Sequence, residues 1–246
     1  MRDEYPNPMF LWESILAVGI AGIVLYFGVP WAYCRWNRRV WRQRAVKHNR
    51  VVLTLDDGPG RQLTTAVLGL LAARGAKATF FLLGRNIRGN GDLVKLIQAQ
   101  GHEIGSHTYD HLHAWKVAPW RSVSDIRRGL RAIDDALGTR AGRYPFRPPY
   151  GKLNLMTLLY LLARRIPVVY WTVDSGDTWS ARPDAGRAAH LSRAAGGGVV
   201  LAHDFDREAA EEVHQYVLDA LRSTLDMAQE RGMQLSTVSQ LRGVRK

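Results

Sequence analysis

The sequence predicts an α/β domain built on parallel strands, preceded by a single N-terminal transmembrane helix. Three observations predict this. From Val51 onward short apolar runs alternate with amphipathic stretches, the pattern of strands joined by crossover helices in one sheet or barrel. Ahead of them, Ile15 to Tyr33 is a run of nineteen residues with no formal charge, about 28 Å long as a helix at 1.5 Å per residue. Finally, the acids and histidines able to do chemistry cluster where the apolar runs end, and in parallel α/β architectures those ends share one face.

The 246 residues, 46% of them apolar, suffice for one sizeable core and exclude disorder as the main state. Four segments are expected: a tail over 1–14, a transmembrane helix over 15–34, a basic juxtamembrane neck over 35–50 and a folded domain over 51–246. Trp12 before the apolar run and Trp31, Tyr33, Trp36 and Trp41 after it are amphipathic rings of the kind that settle among lipid headgroups. An acidic start and an arginine-rich far side argue against a cleaved signal peptide. The formal charge of +12 is concentrated in the neck, where Arg35, Arg38, Arg39, Arg42, Arg44, Lys47 and Arg50 stand without an acid. That asymmetry favours a bacterial-type inner or plasma membrane with the domain on the cytoplasmic side, and the neck attracted to anionic lipid as a solvated helix with Trp36, Val40 and Trp41 resting on the membrane. No nucleic acid partner is expected. Cys34 is the only cysteine, which excludes an internal disulfide and a thiolate metal cluster.

Taken in order, VVLTL (51–55) is a strand running into Asp56-Asp57-Gly58-Pro59. A helix carrying Leu63, Val67, Leu70 and Leu71 follows and stops at Gly75. ATFFLL (78–83) is a strand, Leu93 to Gln100 a helix ended by Gly101, and His102 to Ser106 a short strand. Ser124 is placed to cap a helix bearing Ile126, Leu130, Ile133 and Leu137, closed by Gly138. Beyond Tyr144-Pro145-Phe146 come an apolar helix, Leu155 to Ala163, and a strand, PVVYWTV (167–173). GGGVVLAH (196–203) is another strand, Glu208 to Gln229 a long helix, and Met233 to Val238 a last strand.

Asp56 and Asp57 follow the first strand, His107 and His111 the third, Arg147 to Tyr150 the YPF segment, Asp174 and Asp177 the VVYWTV run, and His203 ends VVLA. Adjacent side chains on an extended chain point to opposite sides, so Asp56 and Asp57 can reach different partners from one spot, one ligating a metal while the other handles protons. His107 and His111, four apart, turn two imidazoles toward one point. With one carboxylate they form a two-histidine, one-carboxylate set that leaves positions open on a metal.

TLDDGP, His107-Thr-Tyr-Asp-His111, Arg147-Pro-Pro-Tyr150, Asp174-Ser-Gly-Asp177 with Trp179, and Leu201-Ala-His203 together resemble the ordered motifs of the polysaccharide deacetylases, the NodB-homology carbohydrate esterases. The resemblance covers roughly Val51 to Val238 and implies a distorted (β/α) barrel of the NodB-homology type. It implies a divalent metal, zinc first and Co2+, Ni2+ or Mn2+ as alternatives, on Asp57, His107 and His111. It implies Asp56 as general base, oriented by Arg147, and His203 as general acid, steadied by Asp177. Tyr150 would offer a backbone N–H to the oxyanion, and Leu201, Trp179, Pro149 and Asp174 would belong to the substrate pocket. One departure stands in the fourth motif, where Thr178 separates Asp177 from Trp179. The roles suit amide hydrolysis, because a divalent ion brings the pKa of water from about 15.7 toward roughly 7 to 9 and separate groups then take and give protons.

The reading is therefore a membrane-anchored, metal-dependent hydrolase removing N-acetyl or O-acetyl groups from a saccharide or glycan. One alternative is a deacetylase or deformylase of a lipid-linked sugar at the cytoplasmic leaflet; another is an inactive saccharide-binding domain. His102, His113, His190 and His214 are read as surface or structural residues, Asp204 and Asp206 as loop residues, and Trp115, Trp120 and Phe205 as candidates for stacking on a sugar.

Overall fold

The computed structural model describes residues 8–140, 142–206 and 210–243. Helix α1 (Pro8–Ile23) passes through a π turn (Val24–Gly28) into α2 (Val29–Lys47). The helical stretch Trp12–Lys47, 36 residues, is long and apolar enough to cross a membrane. Strand β1 (Arg50–Asp56) leads to α3 (Leu63–Ala73), β2 (Thr79–Leu82), α4 (Gly84–Ile87), α5 (Gly91–Ala99), β3 (Glu103–Ser106), α6 (Pro119–Leu137) and α7 (Leu155–Ala163). The chain ends through β4 (Val173–Asp174), α8 (Arg187–Ala195), β5 (Gly198–His203), α9 (Ala210–Glu230), β6 (Gln234–Leu235) and α10 (Val238–Gly243).

All strand pairs are parallel, in the order β3-β2-β1-β5-β4, with β6 beside the start of β1. The sheet then curls shut. Phe146 bridges Ser106 at the end of β3 to Val168, and the segment from Val168 runs on into β4, which pairs with β5. The result is the expected distorted barrel, with α3 packed in one hydrophobic cluster and α7 in another.

Period-two alternation sorts the strand residues. Val51, Leu53 and Leu55 of β1 join the larger core beneath α3 and α9, while Val52 belongs to an inner cluster with Phe81, Val169 and Val199. Thr54 and Asp56 continue the inward-facing set. The inner cluster is stoppered by Trp41 and Ala45 of α2 and by Val238 and Leu241 of α10. A helix meant only as a neck would not do this. Trp41 is 5% exposed and donates its indole N–H to the Val168 carbonyl at 3.2 Å, which also accepts from the Asn37 amide at 3.1 Å. The expectation that Trp41 rests on lipid is therefore corrected: α2 is part of the domain, because its inner face is the apolar plug the barrel needs. Trp36, at 59% exposed, keeps the outward position.

Other boundaries differ for local reasons. Helix α6 begins at Pro119, with proline in the first turn where no N–H is required, so Ser124 lies inside it. The 167–173 run is strand only at its end, and the expected last strand is two residues long before α10 begins. The start of the long helix expected at Glu208 lies outside the described residues.

Replacing Trp41 by Ala removes a buried ring and should cost about 3–5 kcal/mol of stability, whereas Trp36→Ala should change it by about 0.5 kcal/mol or less. Denaturant unfolding of the two detergent-solubilised variants checks this, and equal effects would contradict the plug.

Candidate active site

Registered pairing carries the site. Asp56 of β1 lies directly opposite His203 of β5, so the final inward residues of two neighbouring strands are side by side. Asp57 comes next, and alternation would turn it outward. It instead adopts φ +71°, a left-handed conformation that brings its carboxylate back toward the histidines. Asp57 Oδ1 is 3.5 Å from His107 Nε2 and 3.5 Å from His111 Nε2, and His107 Nε2 is 3.8 Å from Asp56 Oδ2. The two aspartates thus reach different partners from one spot, Asp56 toward Arg147 and Asp57 toward the two histidines.

The ligating atoms of Asp57, His107 and His111 lie within 4.8 Å of one another, and the donor set fits a divalent cation. His107 Nδ1 meets the Arg147 carbonyl at 2.8 Å. A carbonyl only accepts, so Nδ1 carries the proton and Nε2 presents a lone pair to the cluster. Burial, with His107 nearby, pushes His111 down to about 4, which keeps it neutral at pH 7 as a ligand must be.

Arg147 is entirely buried, its guanidinium over the Phe81 ring at 4.2 Å. Nη1 donates to Asp56 Oδ1 and Thr54 Oγ1, each at 2.7 Å, leaving Asp56 Oδ2 toward His107. On the other side, Asp177 is 1% exposed and accepts from His203 Nδ1 at 3.0 Å and from the His203 amide at 2.9 Å. Burial alone would lower the His203 pKa. The Asp177 charge and hydrogen bond, with Asp57 and Asp56 adding, outweigh it and raise the imidazole to about 9.

The remaining expected residues are dispersed around this centre. Leu201 is buried on β5 beside Thr54. Pro149 is buried, and Tyr150 is 56% exposed at φ +56° with its ring between His111 (4.6 Å) and His113 (4.9 Å). Asp174 accepts from the Gly176 amide at 2.9 Å and so shapes the turn before Asp177. Trp179 is 43% exposed under the Arg187 guanidinium at 4.9 Å, a position on the rim.

Several supporting residues escaped the sequence reading. Asp125, buried on α6, accepts from the amides of Asp110 at 2.8 Å and Leu112 at 3.3 Å and so holds the loop between the two histidines. Its signal was an acid on the apolar face of an amphipathic helix. Gly129, one turn on, lets α6 touch that loop, since a Cβ there would stand 2.5 Å from the Thr108 carbonyl. Asp204 is a correction. It is wholly buried under the Asp56-Asp57-Gly58 turn, where Thr64 Oγ1 donates to it at 2.7 Å, and burial raises its carboxyl to about 7. Asp206 accepts from the amides of Gln62 and Leu63 at the start of α3. His102 is structural, taking the Ala78 N–H on Nδ1 at 3.2 Å, whereas His113 stands beside the site.

With this geometry in place, likeness to known proteins is decisive: the family model described as polysaccharide deacetylase matches residues 43–171. The chain belongs to the polysaccharide deacetylase family. It is 32% identical over 204 residues to the peptidoglycan-N-acetylglucosamine deacetylase PgdA of Listeria monocytogenes, covering 81% of this chain but only 40% of that protein. It is 30% identical over 199 residues to the chitooligosaccharide deacetylase of a Bradyrhizobium strain, covering 78% of this chain and 90% of that one. Among solved structures, the peptidoglycan N-acetylglucosamine deacetylase Bc1960 superposes with a TM-score of 0.66 at 27% identity, over 82% of this chain and 94% of that one. The family match starts inside α2, in accord with α2 being part of the domain.

The His203–Asp177 pair gives a pH test within this deacetylase fold. A raised histidine pKa contributes stability that is complete below its ordinary value of 6.5 and is lost as pH rises through about 9. In metal-free protein, Asp177→Asn should bring the His203 titration down toward 6.5 by NMR and abolish that alkaline loss. An unchanged titration would contradict the pairing.

Proposed function

We propose that this protein is a metal-dependent deacetylase that hydrolyses N-acetyl groups on a saccharide, with O-acetyl groups as the related alternative. The observation that carries the proposal is the convergence of Asp57, His107 and His111 between Asp56 and His203. Asp57, His107 and His111 would hold the divalent cation, zinc being the ion best suited to two imidazoles and a carboxylate with open positions. Bound there, it would supply Lewis acidity toward water and the amide carbonyl. Asp56, fixed by Arg147 through one oxygen, takes the proton from the attacking water with the other. His203, cationic at neutral pH because of Asp177, gives its proton to the departing amine as the C–N bond breaks, so acetate and a free amino sugar leave. Tyr150, at the edge of the cluster, would offer its backbone N–H to the charge developing on the carbonyl oxygen. Leu201 and Pro149 supply apolar surface suited to a methyl group, and Trp179 a rim contact for the sugar.

The apolar stretch from residue 15 is proposed as the membrane-crossing part, expected over 15–34 but with Tyr33 and Cys34 packed on the domain core, and the arginine-rich α2 favours a cytoplasmic domain. A lipid-linked sugar as substrate is favoured by one observation. Rings run from the site to the apolar helix, His111 to Tyr150, Tyr150 to His113, His113 to Trp115 at 6.2 Å, and Trp115 to Phe27 at 5.4 Å.

Two variants separate binding from chemistry. Asp57→Ala should lose bound zinc by elemental analysis, while Asp56→Asn should retain it yet lose about 100-fold or more of acetate release from acetylated chitooligosaccharide. Full zinc in the first, or undiminished turnover in the second, would overturn the assigned roles.

A further inference from the structure

Outside the site, the most distinctive surface is a cleft of about 560 Å³ between the exposed side of α6 and the end of α7. Arg127, Arg131, Arg143, Arg164 and Arg165 line it with Tyr160, and every one of these arginines is exposed. Among the described residues none of the five is paired with a carboxylate. The nearest acid in the cleft, Asp134, is already engaged, its Oδ1 accepting from Tyr144 Oη at 2.8 Å, Thr139 Oγ1 at 3.1 Å and the Gly142 amide at 3.2 Å. With Arg140 the lining sets six arginines against this one aspartate, so the cleft keeps a net positive charge suited to phosphate.

Its neighbour is apolar. The sequence of α7, LMTLLYLLA, holds no charge, and while Leu158 and Leu161 enter the core, Met156, Leu159 and Leu162 are 45%, 56% and 49% exposed. A soluble enzyme with a water-facing α7 would carry polar residues at these positions. Helix α7 also packs beside the π turn of the apolar N-terminal helix. Helix α7, with its bare apolar face, thus adjoins the arginine cleft through Tyr160 and Ala163 and the long apolar helix through the π turn, and the three make one border.

We propose that this border is a second membrane contact: α7 lies in the headgroup region of an anionic phospholipid bilayer, and the arginine cleft beside it binds lipid phosphates. An apolar helix face flanked by cationic groups has the chemistry of an interfacial helix. The proposal rests on the reading of the N-terminal helix as membrane-crossing. It deepens that reading, because a second contact fixes the domain's rotation about the single helix axis, which one membrane-crossing helix leaves free, and holds the ring-lined approach to the site near the lipid surface.

The test uses the full chain in lipid nanodiscs. In a Cys34→Ser background, single cysteines at Leu159, Val18 and Thr65 carry an environment-sensitive fluorophore, and doxyl-labelled lipids serve as quencher. Thr65, exposed on α3, which packs in a different cluster from α7, is the control. The Leu159 probe should be quenched in discs containing phosphatidylglycerol and lose most of that quenching in phosphatidylcholine alone, with Thr65 unquenched in both. Combining Arg127→Gln, Arg131→Gln, Arg164→Gln and Arg165→Gln should erase the dependence on anionic lipid. A quenched Val18 with an unquenched Leu159 overturns the second contact and leaves the anchor standing. If Val18 is also unquenched, the anchor and the second contact both fall. Quenching at Leu159 that ignores both lipid charge and the arginine substitutions overturns the role of the cleft.

Discussion

Arg147 is the residue through which the barrel and the site constrain each other. Its side chain has no exposure to water and lies 2.7 Å from Asp56, while its backbone carbonyl meets His107 Nδ1 and its amide donates to Ser106 at the end of β3. One residue thus closes the strand ring, aims a carboxylate and fixes an imidazole tautomer. A buried charge of this kind is tolerable only while its partner is present, since leaving one member of such a pair alone costs about 3–5 kcal/mol. The fold is consequently stable only in arrangements that also keep Asp56 oriented, and the precision of the site follows from the electrostatics of the core.

Much of this was legible in the sequence because it depends on periods the sequence carries. Alternation along VVLTLD and GVVLAH directs Asp56 and His203 inward, and parallel pairing sets them opposite one another. Asp57 reaches the same spot by a route that alternation does not announce, a left-handed residue directly after the strand. The supports of the histidine loop were hidden for a different reason. Asp125 acts on amides 13 and 15 residues earlier and Gly129 on the backbone of Thr108, and only the placement of α6 against the loop reveals their use. Asp204 looked like a polar residue in a loop, yet it is the buried floor of the Asp56-Asp57-Gly58 turn.

The arginine-rich stretch after the apolar run misled in a more general way. Charge dominated the reading of residues 35–50, but on a helix the charges occupy one side and leave another for packing. Asn37, Trp41 and Ala45 form that inner side, and the barrel's inner cluster closes on it. The same helix that leaves the apolar segment is therefore a structural component of the domain. No linker separates the apolar helix from the domain, since α1, the π turn and α2 are contiguous up to Lys47.

The central claim is that three side chains from two strand ends share one divalent cation between an inward aspartate and an inward histidine. Anomalous diffraction from crystals grown with zinc, collected on both sides of the zinc absorption edge, tests it most directly. The account predicts one strong peak bounded by Asp57 Oδ1, His107 Nε2 and His111 Nε2, with Asp56 and His203 flanking it. Saturating zinc with no density among those three atoms, or with the ion held by other residues, would contradict it.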